Sequence, residues 1–406
     1  MDLAYGDTDR ADELANRTRS FLDDVVIPLE RDRLGDGAIS DEDLDSLRAE
    51  AREYGVYCPQ MPEAYGGMGV DFRDALAVFE EAGRSLLGPA ALRVDAPDEG
   101  NMHTIEFAGD DRQKERWLEP LVAGESASAF SMTEPQPGAG SDPKLIRTRA
   151  HKDGDEWVID GHKWWASQGC EADVFIVLAR TDPDAHPYSG CSLFLVPAEM
   201  PGVEIVRDVP ALGNDLLDVS HAEIEYDGVR VPEEALLGER NEGFVHAQER
   251  LGPARLTHCM RFCGMADRAL TVARTYLTER SAFGSTLSKK QALQHRIADQ
   301  ETELHGARTM IRHAADEIAA GNQARVETAM AKNFTAAMVQ DTVDLAVQCC
   351  GGAGLSKDLP LADFYASLRF FRIGDGPDEV HRRTIAKESF DEDGIVEAEV
   401  RNLPEF

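Results

Sequence analysis

From about residue 245 onward, apolar side chains recur at helical spacing. Leu293, Ile297, Leu304, Ala307, Ile311, Ala314 and Ile318 fall three, four or seven residues apart. That spacing predicts one face of a long helix, which Gly321 ends. Comparable stripes run through 256–278 and 326–347, and long helices joined by short loops predict an antiparallel bundle. Between about 128 and 240 the period changes. "EWVIDGHKWWAS", "ADVFIVLAR", "CSLFLVPAE" and "HAEIEYDGVRVP" are short β-branched and aromatic runs bounded by turn formers. In the last of them Ala222, Ile224 and Tyr226 alternate with polar residues, as a half-buried strand requires. Before residue 127, acidic amphipathic segments alternate with Gly/Pro punctuation such as "MPEAYGGMGV", which predicts helices. The expected organisation is multi-domain α+β: a helical domain over 1–127, a β domain over 128–244 and a helical domain over 245–406. No internal repeat or low-complexity tract interrupts it.

A chain of 406 residues fits two or three packed domains. Its net charge of -33 arises from 75 acidic residues against 42 basic ones. Such a field repels nucleic acid and anionic membranes, so neither is expected as a partner. Lysine is scarce beside arginine and the acids are dispersed. This reads as adaptation to concentrated salt rather than as a cation site. The N-terminus lacks the basic-then-apolar order of a signal peptide, and no apolar run reaches the ~20 residues needed to span a bilayer. A cytoplasmic protein is expected. The seven cysteines show no CxxC spacing and no paired His cluster, so free buried thiols are expected and no metal site.

Four stretches could carry chemistry. "FSMTEPQPGAGSD" supplies hydroxyls at Ser131, Thr133 and Ser141 beside Gly138, Ala139 and Gly140. Its backbone N–H groups could approach a flat or anionic ligand, although an interdomain turn fits the same residues. The Lys-Ser/Thr of a P-loop and the GxGxxG of a dinucleotide fold are missing. "GHKWWASQG" sets Trp164 and Trp165 side by side, where strand alternation sends one inward and the other toward a ligand or an interface. "ERSAFGSTLSKKQ" holds Arg280, Phe283 and Gln291 around a helix start, and "QCCGGAG" ends a helix in glycines.

Taken together and in this order, TEP…GAGSD, WWAS, RxxFGxxLxxxQ and QxxGGxG resemble the flavoprotein acyl-CoA dehydrogenases over nearly the whole chain. "RLGPARLTHCMR" and "GDGPDEVH" look like the subgroup fused in animals to a phosphotransferase-like kinase portion, which this chain does not carry. The resemblance implies a β-barrel-like central domain, a C-terminal four-helix bundle and FAD. It aligns Phe130, Met132 and Thr133 along the flavin ring. Ser141 aligns near the diphosphate and the acyl-CoA, Trp165 on a ring face, and the Ser167 hydroxyl near N5. Arg280, Phe283 and Gln291, with Gln348, Gly351 and Gly352, are then expected to hold the diphosphate and adenine across a dimer interface. A homodimer or homotetramer would follow.

The implied reaction removes an α-proton from an acyl thioester and passes a β-hydride to flavin N5, with an electron-transfer flavoprotein as acceptor. "GDGPDEVH" aligns Asp375 with the family's catalytic base, which is usually Glu. Gly376 forms the turn beside the thioester, Pro377 and Glu379 fall at flavin-contacting positions, and the N–H of Asp375 is the expected donor to the thioester oxygen. Arg255 matches a helix arginine near the substrate pocket. Ala254, at the base position of some relatives, cannot act. From the local pattern, Asp378 is expected as a helix-start charge, and His381 on that helix's surface or in contact with a partner rather than as a second acid. An acyl-CoA oxidase or flavin monooxygenase on the same fold is the alternative enzyme, and a non-catalytic scaffold is the alternative of another class.

Overall fold

The structure is a computed structural model that describes residues 4–213 and 216–390; the outer ends of the first and last expected domains lie outside these residues. The chain begins with helices whose starts are set by local chemistry. The Thr8 side chain accepts from the Ala11 N–H to begin helix Asp9–Phe21. Ser40 and Asp43 form a reciprocal capping box at the start of Asp41–Glu53. Helix Phe72–Ala82 is buried from Ala75 to its end, and helix Asp98–Ala108 follows it.

Eight strands then form one sheet: β1 (Ser128–Ser131), β2 (Arg149–Asp153), β3 (Glu156–Ser167), β4 (Val174–Arg180), β5 (Cys191–Pro197), β6 (Val203–Asp208), β7 (His221–Pro232) and β8 (Leu236–Leu237). Their order is β6-β7-β3-β2-β4-β5-β8, with β1 parallel to β4. The unbroken apolar runs of β4 and β5 have a physical cause, because both faces are covered. Val174, Ile176 and Leu178 pack into the helical core, while Phe175, Val177 and Ala179 join Trp157, Phe194 and Tyr226 in a core beneath the sheet. The β3–β7 register shifts between Lys163 and Ala166. This irregularity disrupts strict alternation at the two tryptophans. Trp164 is half-buried and Trp165, at φ 56, is 42% exposed, so neither is a core residue.

The C-terminal part is built on helices Gly243–Glu279, Gln291–Ala319 and Arg325–Cys350, with the shorter Leu361–Leu368 and Asp378–Ser389 against them. The predicted stripe is divided: Leu304, Ala307, Ile311 and Ala314 are buried, and Leu293, Ile297 and Ile318 pack at the margin. Helix Phe72–Ala82 crosses Gly243–Glu279 at a pair of glycines. A Cβ on Gly264 would overlap the Glu80 carbonyl, and one on Gly83 would overlap that of Arg261. This contact fixes the first helices against the helix that carries much of the site. Of the cysteines, Cys170 is exposed, unlike the buried thiols expected, and the other six are buried.

Candidate active site

Asp375 lies in a turn made by two consecutive left-handed residues, itself at φ 54 and Gly376 at φ 102. Asp tolerates this region better than most side chains, and glycine enters it without penalty. A Cβ on Gly376 would also come within 2.9 Å of His381 Nε2. Three elements hold the turn by its carbonyls. Arg255 Nε donates to the Asp375 oxygen at 2.8 Å, and His381 Nε2 lies 3.3 Å from the same atom. Lys332 Nζ donates to the Gly376 oxygen at 2.8 Å. The Asp375 N–H has no backbone or side-chain acceptor among the described residues.

The Asp375 side chain is 20% exposed, with Oδ2 buried and unbonded, His258 Nδ1 lying 3.4 Å away. Burial alone would raise this carboxyl. Positive charge at His258 when that ring is protonated, then the fixed charges of Arg250, Arg255 and Lys332, oppose it, and the group is held below the usual aspartate value, so it is ionised at neutral pH. His258 is pushed down to about 4 by burial, then by Arg261. It is therefore neutral near pH 7, and its Nδ1 bonds the Ala254 carbonyl rather than Asp375 Oδ2.

One expectation for this stretch gains a partner and another is corrected. Asp378 starts the last helix, but it is 2% exposed and accepts from Arg372 Nε at 2.7 Å. It is a helix-start charge and also the buried half of an ion pair whose Arg372 is partly open to solvent. His381 is buried beneath the turn rather than lying on the surface. The cause is the same in both cases: the left-handed turn rolls the start of the helix against Arg325–Cys350.

The loop after β1 is organised by Glu134. Its carboxylate accepts the N–H groups of Ala139 at 3.2 Å, Arg147 at 2.8 Å and Thr148 at 2.9 Å, and takes Lys163 Nζ at 3.0 Å. Lys163 also donates to the Met132 carbonyl at 2.8 Å. The Trp164 N–H donates to the Thr133 carbonyl at 3.0 Å, tying this loop to the tryptophan strand. Phe130, Met132 and Thr133 are half-buried and Ser141 is exposed. The Ser167 hydroxyl lies 3.1 Å from His221 Nδ1, and the His221 ring sits 5.5 Å from the Trp165 ring. Arg250, on the same helix as Arg255 and His258, stacks its guanidinium 4.3 Å from the Phe130 ring centre. One helix thus joins the Phe130 loop to the Asp375 turn.

The remaining residues are not brought to this centre. Arg280, Phe283, Gln291, Gln348, Gly351 and Gly352 are exposed, Phe283 by 92%. Among the described residues none shares a hydrogen bond, ion pair or ring contact with 130–141 or 164–167. Pro377 is half-buried and Glu379 turns outward. A Cβ on Gly351 or Gly352 would meet nothing within 4 Å. The chemistry of these groups fits FAD: uncovered aromatic faces at Trp165 and Phe283, hydroxyls at Thr133, Ser141 and Ser167, a guanidinium at Arg280 and open glycine backbone. Among the described residues no group of three or more His, Cys, Asp or Glu could hold a metal, and no helix is long and apolar enough to cross a membrane.

Residues unpredicted from sequence are Glu134, Lys163, Arg250, His258 and Lys332. His258 had a signal: it follows Arg255 by three positions on one helix, so the two share a face.

Comparison with known proteins agrees with this architecture. Models of the acyl-CoA dehydrogenase N-terminal, middle and C-terminal domains match residues 8–125, 129–229 and 241–390. The "Probable acyl-CoA dehydrogenase FadE2" of Mycobacterium tuberculosis is 40% identical over 349 residues, covering 85% of this chain and 84% of that protein. Human acyl-CoA dehydrogenase family member 11 is 35% identical over 396 residues, covering 93% of this chain and 50% of that protein, so the chain spans about half the length of this relative. The butyryl-CoA dehydrogenase structure from Megasphaera elsdenii superposes with a TM-score of 0.84 at 27% identity, covering 96% of this chain and 100% of that one. The chain belongs to the acyl-CoA dehydrogenase family, and is an FAD-using oxidoreductase acting on acyl-CoA.

Proposed function

We propose that the protein dehydrogenates an acyl-CoA thioester between Cα and Cβ to a trans-2-enoyl-CoA, with Asp375 as the base. The observation that carries this reading is the Asp375 turn: an ionised, largely buried carboxylate whose backbone is clamped by Arg255, His381 and Lys332. An α-proton of a thioester is a very weak acid, so its removal depends on a positioned base and on stabilising the developing enolate oxygen. Asp375 takes that proton on its carboxylate. Its backbone N–H, free of intramolecular acceptors among the described residues, is the donor available to the thioester oxygen. Bound FAD supplies the acceptor for the β-hydrogen and its electron pair.

In the free protein the surrounding cations keep Asp375 deprotonated and ready. Substrate entry excludes water from the turn, which raises the carboxyl toward a value better suited to take a proton. Phe130, Met132, Thr133, Trp165 and Ser167 are proposed to line the flavin, with Ser141 near the diphosphate and the thioester, and Pro377 and Glu379 at its edge. Arg255 and Gly376 act on substrate through the turn they shape. Arg280, Phe283, Gln291, Gln348, Gly351 and Gly352 lie on exposed surface and are proposed to complete the cofactor site of a second copy, in a dimer or tetramer. An electron-transfer flavoprotein is the proposed acceptor. Anaerobic bleaching of the yellow protein by a panel of acyl-CoAs tests the reading; a purified flavin-loaded protein that no acyl-CoA bleaches would contradict it.

A further inference from the structure

The helix Gly243–Glu279 presents more than Arg255 to the base. His258 is 7% exposed, with its ring stacked on Phe371 at 5.7 Å between centroids and 16° between planes. Its Nδ1 lies 2.8 Å from the Ala254 carbonyl. A carbonyl oxygen can only accept, so Nδ1 carries the hydrogen. The same nitrogen is 3.4 Å from Asp375 Oδ2. The N–H bonds Ala254, and Oδ2, which has no hydrogen-bond partner among the described residues, is the next acceptor within its reach.

We propose that His258 is a positioning residue for the base: its ring N–H, held 3.4 Å from Asp375 Oδ2 by the Ala254 bond and the Phe371 stack, takes the carboxylate as acceptor when substrate binds, fixing its direction and favouring its ionised form. The inference rests on reading Asp375 as the base. Arg255, His381 and Lys332 bond the carbonyls of the turn, not the carboxylate, and leave its torsion unset. An aspartate is one methylene shorter than a glutamate, and a displacement of about 1 Å can cost on the order of a hundredfold in rate. The N–H contact is long here, as such contacts often are before substrate binds. The Phe371 stack and the Ala254 bond prevent the ring from turning away. Because the imidazole is neutral, it donates without adding a further cation to hold down the basicity of Asp375.

Other titratable groups act on Asp375 from the neighbouring elements: Arg250, Arg255, Arg261 and Cys259 on the same helix as His258, Lys332 on Arg325–Cys350, His381 on the last helix, whose Asp378 acts on Lys332, and Glu99 on Asp98–Ala108. Burial lowers the three arginines and Lys332 from their ordinary values. Burial pushes Cys259 up to about 12 and His381 down to about 4. Glu99 is raised by burial, so Glu99→Gln is the control that removes its titration.

The test uses FAD-loaded protein and two readouts. One is kcat and KM with a saturated acyl-CoA. The other is the midpoint of the acid limb of kcat/KM, which reports ionisation of the base in the free enzyme. His258→Phe keeps the stack and removes the donor. It is expected to lower kcat by roughly ten- to a hundredfold, leave KM little changed, and move the acid-limb midpoint up by about one pH unit. His258→Asn returns an N–H near the Nδ1 position and is expected to recover most of both. His258→Gln, which moves the N–H outward by one bond, gives the same comparison where the Phe variant does not fold. An unchanged midpoint in the donor-free variant, or equal loss in the Phe and Asn variants, overturns the proposal. Flavin bleaching retained by Asp375→Asn would instead sink the base assignment beneath it.

Discussion

Lys332 sets its ammonium 2.8 Å from the carbonyl oxygen of Gly376, reaching from helix Arg325–Cys350 to the turn that carries Asp375. Lys332 is fully buried, and burial lowers its pKa while nearby Cys259, Asp378 and Asp375 act against the shift. Replacing it by methionine keeps the apolar stem and leaves the carbonyl without its donor. Lys332→Met is expected to lose about 1 to 3 kcal/mol of stability and to slow flavin reduction while acyl-CoA still binds. Thermal unfolding and single-turnover reduction on the same preparation check both.

Asp378 and Arg372 form the second support of the turn, at 2.7 Å. Arg372 is partly open to solvent, with a side-chain exposure of 36%, which reduces what the pair contributes. Asp378→Asn is expected to lower stability by about 1 to 3 kcal/mol, with a much smaller effect on flavin reduction per folded molecule than any change at Asp375. Urea unfolding beside stopped-flow reduction separates the two.

The Glu134–Lys163 pair shapes the loop proposed to lie along the flavin. Lys163→Met leaves Glu134 buried with its three backbone donors but no cation. The expected cost is about 3 kcal/mol in stability. FAD affinity is expected to fall on the order of tenfold, equivalent to about 1.4 kcal/mol, read by titrating the apoprotein with FAD and following flavin fluorescence. Unchanged affinity would separate this pair from the cofactor.

Acid should destabilise the fold through two histidines. His258 and His381 are each pushed down to about 4 from an ordinary 6.5, chiefly by burial, with Arg261 acting on the first and Arg255 on the second. The unfolded chain therefore binds protons at higher pH than the folded one. The stability that neutral histidine supplies is present in full above pH 6.5 and is lost as pH falls toward about 4, with each group contributing up to about 1.4 kcal/mol per pH unit. The melting temperature should fall across that window, and less steeply when both residues are phenylalanine.

Periodicity carried far in this chain because both kinds of element bury one side. The stripe through Leu304, Ala307, Ile311 and Ala314 marks a real helix face, and the alternation at Ala222, Ile224 and Tyr226 marks a real strand. It misled where backbone geometry departs from regular form. The register shift before Ala166 changes the faces of Trp164 and Trp165, and the double left-handed turn at Asp375 and Gly376 buries Asp378 and His381. Neither departure leaves a hydrophobic period. Lys163, Lys332 and Glu134 were illegible for another reason: a buried charge looks like a surface charge until its partner, up to 44 residues away for Lys332 and Gly376, is brought beside it. Short motifs named Asp375, but the side chains that hold it come from three separate helices.

Anaerobic reduction of FAD-loaded Asp375→Asn by acyl-CoA tests the central claim most directly. The substitution preserves shape and removes the basic oxygen. The account predicts that the variant stays yellow, still binds acyl-CoA and does not bleach, with Asp375→Glu retaining measurable reduction. Bleaching of Asp375→Asn at a rate near that of the unaltered protein would contradict it.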